Sequence, residues 1–118
     1  MADSVLRDKS KAFAKQIIFL CRQLKQRGAE SALINQLLRC GTSVGANIHE
    51  AKYAQGTKDF ISKFEISLKE INETEYWLDL LHDTNCLFDD EHSCFIKECI
   101  DIRRMLVSSV MTLKEKLK

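Results

Sequence analysis

Apolar residues recur at intervals of three and four positions along nearly all of this 118-residue chain, which contains no proline. That spacing places side chains on one face of an α-helix, whereas a half-buried β-strand needs strict alternation. Few residues interrupt the pattern: Gly28, Gly56 and a loop over residues 84–90. The sequence therefore predicts four long helices, over residues 4–27, 31–54, 58–83 and 91–117.

Each predicted helix carries its own apolar stripe, and the stripe of the fourth is the most regular. Its members alternate three and four residues apart, as in a heptad repeat with one charged member. They are Ile96, Cys99, Arg103, Leu106, Val110, Leu113 and Leu117. Four helices of about 25 residues, each about 37 Å long, hide such stripes by lying side by side. We predict an all-α fold, an antiparallel up-down four-helix bundle that forms one domain over residues 1–118.

The helix ends carry further signals. Thr57 is expected to cap the third helix, and Asp89 or Asp90 the fourth. Just before the fourth helix, Leu87 and Phe88 are expected to fold back over the end of the bundle.

Two glycines lie inside the second segment, where each costs a helix about 1 kcal/mol relative to alanine. A close approach by another helix at Gly41 and Gly45 would explain that cost, and a break at Gly41 is the alternative. A phosphate-binding loop is not the explanation, because the Lys and Ser/Thr that follow such glycines are missing.

Composition and cysteine usage narrow the class of protein. Hydrophobic residues make up 45% and charged residues 30%, as in ordinary globular proteins. No apolar stretch of about 18 residues is present, so we expect no membrane span. The N-terminus lacks the pattern of a secretion signal, so we expect a cytoplasmic protein. Five cysteines, an odd number without a Cys-x-x-Cys pair, predict neither a disulfide nor a metal site.

The net charge of +1 conceals an asymmetry between the two halves of the chain. Residues 1–63 contain 11 Lys and Arg against 5 Asp and Glu, and residues 64–118 contain 7 against 12. A basic side is able to meet nucleic acid, or to dock against the acidic side of a neighbouring copy. Two solvated faces without a partner are the third interpretation. The candidate nucleic-acid contacts, all on the first helix, are Lys9, Lys11, Lys15, Arg22, Lys25 and Arg27.

The sequence gives little support for a catalytic site. His49, His82 and His92 lie far apart in sequence, and the paired Glu-x-x-His motif of a bundle di-metal centre is absent. No serine or cysteine stands in a known nucleophile motif. We expect no enzymatic activity, no cofactor, no metal and no small-molecule substrate.

Polar residues form a ribbon along the second helix, because they follow one another at intervals of four, four and three. They are Arg39, Ser43, Asn47 and Glu50, with Ser67, Glu70 and Thr74 in a similar ribbon on the third helix. If the ribbons face each other, Asn47 and Glu50 are placed to bond across the helices. A polar layer that fixes the helix register is the favoured interpretation, and a ligand or metal pocket around Asn47, Glu50 and Glu70 is the alternative.

The segment over residues 38–51, Leu-Arg-Cys-Gly-Thr-Ser-Val-Gly-Ala-Asn-Ile-His-Glu-Ala, resembles the signature of a bacterial four-helix-bundle family. Members include proteins encoded in intervening sequences of 23S ribosomal RNA genes. Their pattern has Arg, then Ser four residues later, then Asn-Ile-x-Glu-Gly. The next helix is similar at Lys58-Asp59-Phe60-Ile61 and at Ser67-Leu68-x-Glu70. One departure is Ala51 in place of the usual glycine, which leaves the second helix free to continue to Tyr53 or Ala54.

The resemblance implies a bundle that assembles into a homopentameric ring. The chain is also similar to the accessory protein of diversity-generating retroelements, a pentamer that binds a reverse transcriptase and RNA through a basic surface. Two functions follow as expectations. The first is a homo-oligomeric adaptor that associates with RNA or a nucleoprotein through the basic first helix. The alternative is a protein–protein assembly module without a nucleic-acid role.

Overall fold

Residues 2–118 fold into four α-helices, each antiparallel to the helix that follows it in the chain: α1 (Ala2–Gln26), α2 (Ser31–Ala51), α3 (Thr57–Asp83) and α4 (Asp89–Lys116). The computed structural model describes residues 2–118, with side chains from residue 4 onward. Helices adjacent in sequence pack against each other, and α4 returns to contact α1. The resulting bundle measures 49 × 22 × 20 Å and contains no strand within the described residues. The prediction of an all-α, antiparallel up-down four-helix bundle is confirmed.

The predicted apolar stripes of the first three helices face a common core, but the stripe of α4 is shifted. Ile102 is fully buried, whereas Arg103 lies beside the core and reaches α3, where it donates to Asn72 Oδ1 (3.0 Å) and Glu75 Oε1 (2.9 Å). Leu117, the last predicted member, is 48% exposed. The heptad assumption of 3.5 residues per turn selected Arg103, whereas a straight helix of 3.6 residues per turn brings Ile102 inward. Including Ile102, the buried residues of α4 are Cys99, Ile102, Leu106 and Val110.

Two helices end in the same way, with a residue in the left-handed conformation. Gly28 (φ +82°) follows α1, and the amide of Ala29 reaches back to the carbonyl of Leu24 at 3.1 Å. Asn85 (φ +67°) follows α3, and the amide of Cys86 bonds to the carbonyl of Leu81 at 2.9 Å. Both are Schellman motifs, which satisfy carbonyl groups at the end of a helix.

The end of α2 differs from the sequence prediction. α2 stops at Ala51 rather than continuing to residue 53 or 54, because the amides of Lys52, Tyr53 and Ala54 bond three residues back instead of four. These tighter turns end the α-helix without a glycine at position 51.

The predicted side-chain caps of α3 and α4 are wrong. Thr57 and Asp89 lie inside the first turn, and the preceding residues make no side-chain cap bond. Carboxylates within the first turn accept backbone amides instead: Asp59 binds Gln55 N at 3.1 Å, and Glu91 binds Phe88 N at 2.9 Å. An acidic residue in the first turn also interacts favourably with the helix dipole.

The close approach of α1 and α2 accounts for the glycines inside α2, which is continuous through Gly41. A Cβ atom at Gly41 would lie 2.9 Å from Cγ2 of Ile17. At Gly45 it would lie 3.2 Å from the backbone oxygen of Ser10, and Ser10 itself is buried. The two helices therefore pack so closely at these positions that a larger residue would require its neighbours on α1 to shift.

Candidate nucleic-acid interface

Two of the six candidate basic contacts are used inside the bundle. Lys9 faces α4, where its Nζ lies 3.0 Å from Glu98 Oε2 and 3.9 Å from Asp101 Oδ2. Arg27 donates to both carboxylate oxygens of Glu91, at 2.9 and 2.8 Å, and to the carbonyl of Cys86 at 3.0 Å. Both side chains occupy the edge of α1 nearest α4. Their position makes them contacts between helices.

The guanidinium of Arg27 also covers the ring of Phe88, with 4.2 Å between Cζ and the ring centroid. Phe88 is 57% exposed, whereas Leu87 is buried. Leu87 therefore covers the end of the bundle as predicted, whereas Phe88 does not.

The other four candidates form a continuous exposed surface, which we call the α1 basic face: Lys11, Lys15, Arg22 and Lys25. Their spacing of four, seven and three residues keeps them on one side of the helix, over about 21 Å of its axis. Among the described side chains, none of the four takes part in an ion pair. Phe19, 58% exposed, lies beside this face with its ring 5.6 Å from Cζ of Arg22. An exposed aromatic ring among cations is a common platform for an unpaired base.

A groove between α1 and α2 borders the basic face and was missed by the sequence analysis. It has a volume of about 450 Å³, and Gly45, Ala46 and Ala14 lie among the residues that line it. Arg7, Lys11 and His49 supply the positive and hydrogen-bonding groups, with Asp8 as the one carboxylate among the lining residues. The signal was present in the sequence, because Arg7 precedes Lys11 by four residues and His49 follows Gly45 by four. Only the crossing of the two helices shows that these pairs face the same space.

The ribbon of polar residues lies along the contact between α2 and α3, and four of its members bond across the two helices. Ser67, fully buried, donates to the carbonyl of Val44 at 2.8 Å. Arg39 binds Glu70 at 3.2 Å and also binds Glu73. The two ribbons thus face each other.

Asn47 and Glu50 were both placed to bond across the helices, but only one of them does so. Glu50 does bond across the helices, to Lys63 at 3.2 Å. Asn47 instead donates to the carbonyl of Ser43, one turn earlier in its own helix, at 2.9 Å. Because Glu50 and Glu70 are held by different cations, these contacts support a register-fixing role for the ribbon, and that role stays a prediction.

Hydrogen bonding lowers the pKa of Glu73 at the edge of this ribbon. The donors are first the indole of Trp77, whose Nε1 lies 3.0 Å away, and then Arg39. Glu73 in turn raises the pKa of Arg39 by accepting its hydrogen bond. The pair therefore stays ionised over a wide pH range.

Most carboxylates of the acidic second half are similarly paired with cations inside the molecule. Glu65 binds Lys114 at 3.0 Å and Glu75 binds Arg103 at 2.9 Å, while Glu91 binds Arg27 and Glu98 binds Lys9. Two further carboxylates contact stacked imidazoles at the α3–α4 connection: Asp79 with His92 (2.7 Å) and Asp89 with His82 (2.6 Å). The positive charge of the α1 basic face is therefore not matched by an equally free acidic surface.

The described residues contain no cluster of metal ligands, no disulfide and no membrane-spanning helix. They include no group of three or more His, Cys, Asp or Glu side chains placed to hold a metal ion. All five cysteines are free thiols. Among the described residues, no helix is long and apolar enough to cross a bilayer.

The fold and this surface define a class of protein: a helical bundle with a basic first helix and a polar α2–α3 contact. The pattern of the 23S rRNA-intervening sequence protein family matches residues 2–108. The chain belongs to this family, as the resemblance of the 38–51 segment indicated. A crystal structure of a protein of unknown function from the S23 ribosomal protein family of Bacteroides thetaiotaomicron is 41% identical, with a TM-score of 0.91. The match covers 94% of this chain and 99% of that one. No curated protein matches the chain.

Proposed function

We propose that this protein is a non-enzymatic, homo-oligomeric adaptor that associates with RNA or a nucleoprotein through the α1 basic face. The observation that carries the proposal is the contrast between paired and free charges. Carboxylates of the second half are largely used within the bundle, whereas Lys11, Lys15, Arg22 and Lys25 have no ion-pair partner among the described side chains. An external polyanion is the natural partner for such a surface. The resemblance to the retroelement accessory protein, which binds RNA through a basic surface, favours RNA as that polyanion.

Binding of this kind depends on phosphates and little on base sequence. Four phosphate contacts give a slope of log affinity against log salt of about −3 to −4. Raising the salt from 50 to 200 mM should therefore weaken binding about 100-fold. Fluorescence anisotropy with a labelled RNA hairpin measures this slope directly.

A charge-matched pair of variants tests whether the surface itself is responsible. We expect Lys11, Lys15, Arg22 and Lys25 replaced together by Gln to abolish hairpin binding at 50 mM salt. A control removes four exposed cations elsewhere, also to Gln, and should bind like the native chain: Lys58, Lys69, Lys97 and Lys116. Equal loss in both variants would reduce the effect to net charge, and no binding by the native chain at low salt would overturn the proposal.

A second candidate function is a protein–protein assembly module without a nucleic-acid role. An exposed apolar strip on α4 favours it, because Val107 and Met111 are 39% and 67% exposed and line one shallow surface cavity. The homopentamer implied by the family resemblance fits either function. Light scattering at low and raised salt separates them: rings that persist in high salt, in a protein that does not bind RNA, support assembly through apolar contacts. A monomer under all conditions would contradict the oligomer in both proposals.

A further inference from the structure

We propose that the α1–α2 groove is a second RNA contact, one that holds phosphodiester groups of the RNA backbone with Arg7, Lys11 and His49. This inference rests on the proposed function, because it assumes an RNA partner, and it adds a site outside the candidate residues on α1. Arg7 and His49 were not among those candidates. Lys11 belongs to both surfaces, so it connects the groove to the α1 basic face.

The shape of the groove follows from the helix packing. Gly45 packs tightly against α1, because a Cβ atom there would lie 3.2 Å from the backbone oxygen of Ser10. Ala14 and Ala46, which also line the groove, present only a methyl group. A surface of small residues between two rows of longer side chains leaves about 450 Å³, a volume typical of ligand sites. Packing between α1 and α2 thus leaves a cleft that is open to solvent.

The chemistry at the rim suits a phosphate. Arg7 uses one Nη2 hydrogen bond on Ser4 Oγ, at 3.2 Å, and its guanidinium offers further donors. Lys11 supplies a mobile charge from the next turn of α1, and His49 supplies a ring nitrogen from α2. Asp8 is the one carboxylate among the lining residues, so positive groups outnumber it. A planar guanidinium beside an ammonium group is well matched to the oxygens of a phosphodiester.

We prefer an RNA backbone to a small soluble anion as the occupant, because the groove is continuous with the α1 basic face. The groove opens next to Lys11, and the basic face continues from there to Lys25 along about 21 Å of α1. A single phosphate would use only the groove, whereas an extended chain of phosphates occupies both surfaces at once. The shared position of Lys11 therefore points to one polyanion that crosses from the groove to the helix face.

The test uses two probes, the labelled RNA hairpin and a four-nucleotide oligouridylate, with the full-length protein. In amide NMR spectra, oligouridylate is expected to shift the signals of Thr42, Gly45 and Ala46, which belong to the groove. Gly28 and Gly56, at the helix connections, serve as internal references and should stay in place. The paired substitution Arg7→Gln and His49→Gln should abolish these shifts and weaken hairpin binding about tenfold. It should also reduce the magnitude of the salt slope by about one.

A matched control, Lys58→Gln with Lys69→Gln, removes two exposed cations from α3 and should leave both readouts unchanged. If the hairpin binds through the α1 basic face but the groove amides do not shift and the paired variant binds normally, the groove inference is wrong and the proposed function stands. If neither RNA binds the native protein, both are overturned. A merely destabilised variant is recognised by amide shifts spread over the whole spectrum without RNA. In that case the shifts of the native groove amides decide the question.

Discussion

At the scale of single residues, the Arg27–Glu91 pair connects several elements at one end of the bundle. Glu91 accepts from Arg27 and from the amide that begins α4, so one carboxylate joins the end of α1 to the start of α4. The hydrogen bond from Arg27 is the main reason that the pKa of Glu91 lies below its ordinary value of 4.5. A lowered pKa in the folded state means that the ionised form stabilises the fold above about pH 4.5. That contribution is lost as the pH falls through the folded-state value.

We therefore expect Glu91→Gln to lower the free energy of unfolding by about 1–2 kcal/mol at pH 7. The difference from the native chain should shrink as the pH drops below 4.5, because the unfolded carboxyl then takes up a proton, and it should disappear once the folded carboxyl is also neutral. Urea denaturation at about pH 7, 5, 4 and 3 measures both effects. Glu115→Gln is the control, because its pair with Lys118 is about three-quarters exposed and should matter by less than about 0.5 kcal/mol. A Glu91 effect that is constant with pH would contradict the assignment.

The cysteines differ in burial, and we therefore expect them to differ in reactivity. Burial raises the pKa of Cys21 to about 11 and that of Cys99 to about 12, and it raises the pKa of Cys40 as well. Because the thiolate is the reactive form, these three should resist a thiol reagent such as Ellman's reagent at pH 7.5 until the protein unfolds. Cys94 is exposed and should react first, and Cys94→Ser should remove the fast phase. Rapid reaction of Cys99 in the native protein would show that α4 opens readily.

At the scale of helices, the change in stability when a glycine is replaced by alanine depends on the space around that glycine. Gly41→Ala is expected to destabilise the bundle by about 1–3 kcal/mol, because its Cβ would press on the buried Ile17 side chain at 2.9 Å. Gly56→Ala should be neutral or stabilising by up to about 1 kcal/mol, since no atom lies within 4 Å and its φ of 165° is ordinary extended backbone. Thermal or urea unfolding of the two variants measures this contrast. Similar losses in both would contradict a close contact between α1 and α2.

The helices themselves were predictable from the sequence, because apolar spacing records which face of each helix is buried. Their ends were less so. Gly28 clearly indicated the end of α1. Asn85 adopts the same left-handed conformation after α3, although it is not a glycine. Thr57 had the right chemistry for a cap, but backbone turns placed it inside α3. Such endings depend on how the chain must turn to reach the next helix, which local residue preference does not contain.

At the scale of the whole molecule, ion pairs within the bundle bring charges of the basic half of the sequence into contact with charges of the acidic half. The sequence shows a basic half and an acidic half, but only the packed bundle shows which charges meet. Lys9 and Arg27 looked identical to Lys15 and Arg22 in the sequence, yet they lie on the edge of α1 next to α4. Three-dimensional contacts thus divide the candidate basic residues into internal pairs and a free surface. The groove was invisible to sequence reasoning for the same reason, since its two walls come from different helices.

The two ends of the bundle are held unequally. One end contains both the α1–α2 and the α3–α4 connections, joined by Arg27, while the other contains a single connection and both chain termini. Fewer connections join the helices at that second end, so we expect local opening to be cheaper there. Arg7 and His49 lie toward that end. A ligand that bridges them would suppress fraying of α1 and α2, so occupancy of the cleft and rigidity of the free end are thermodynamically coupled.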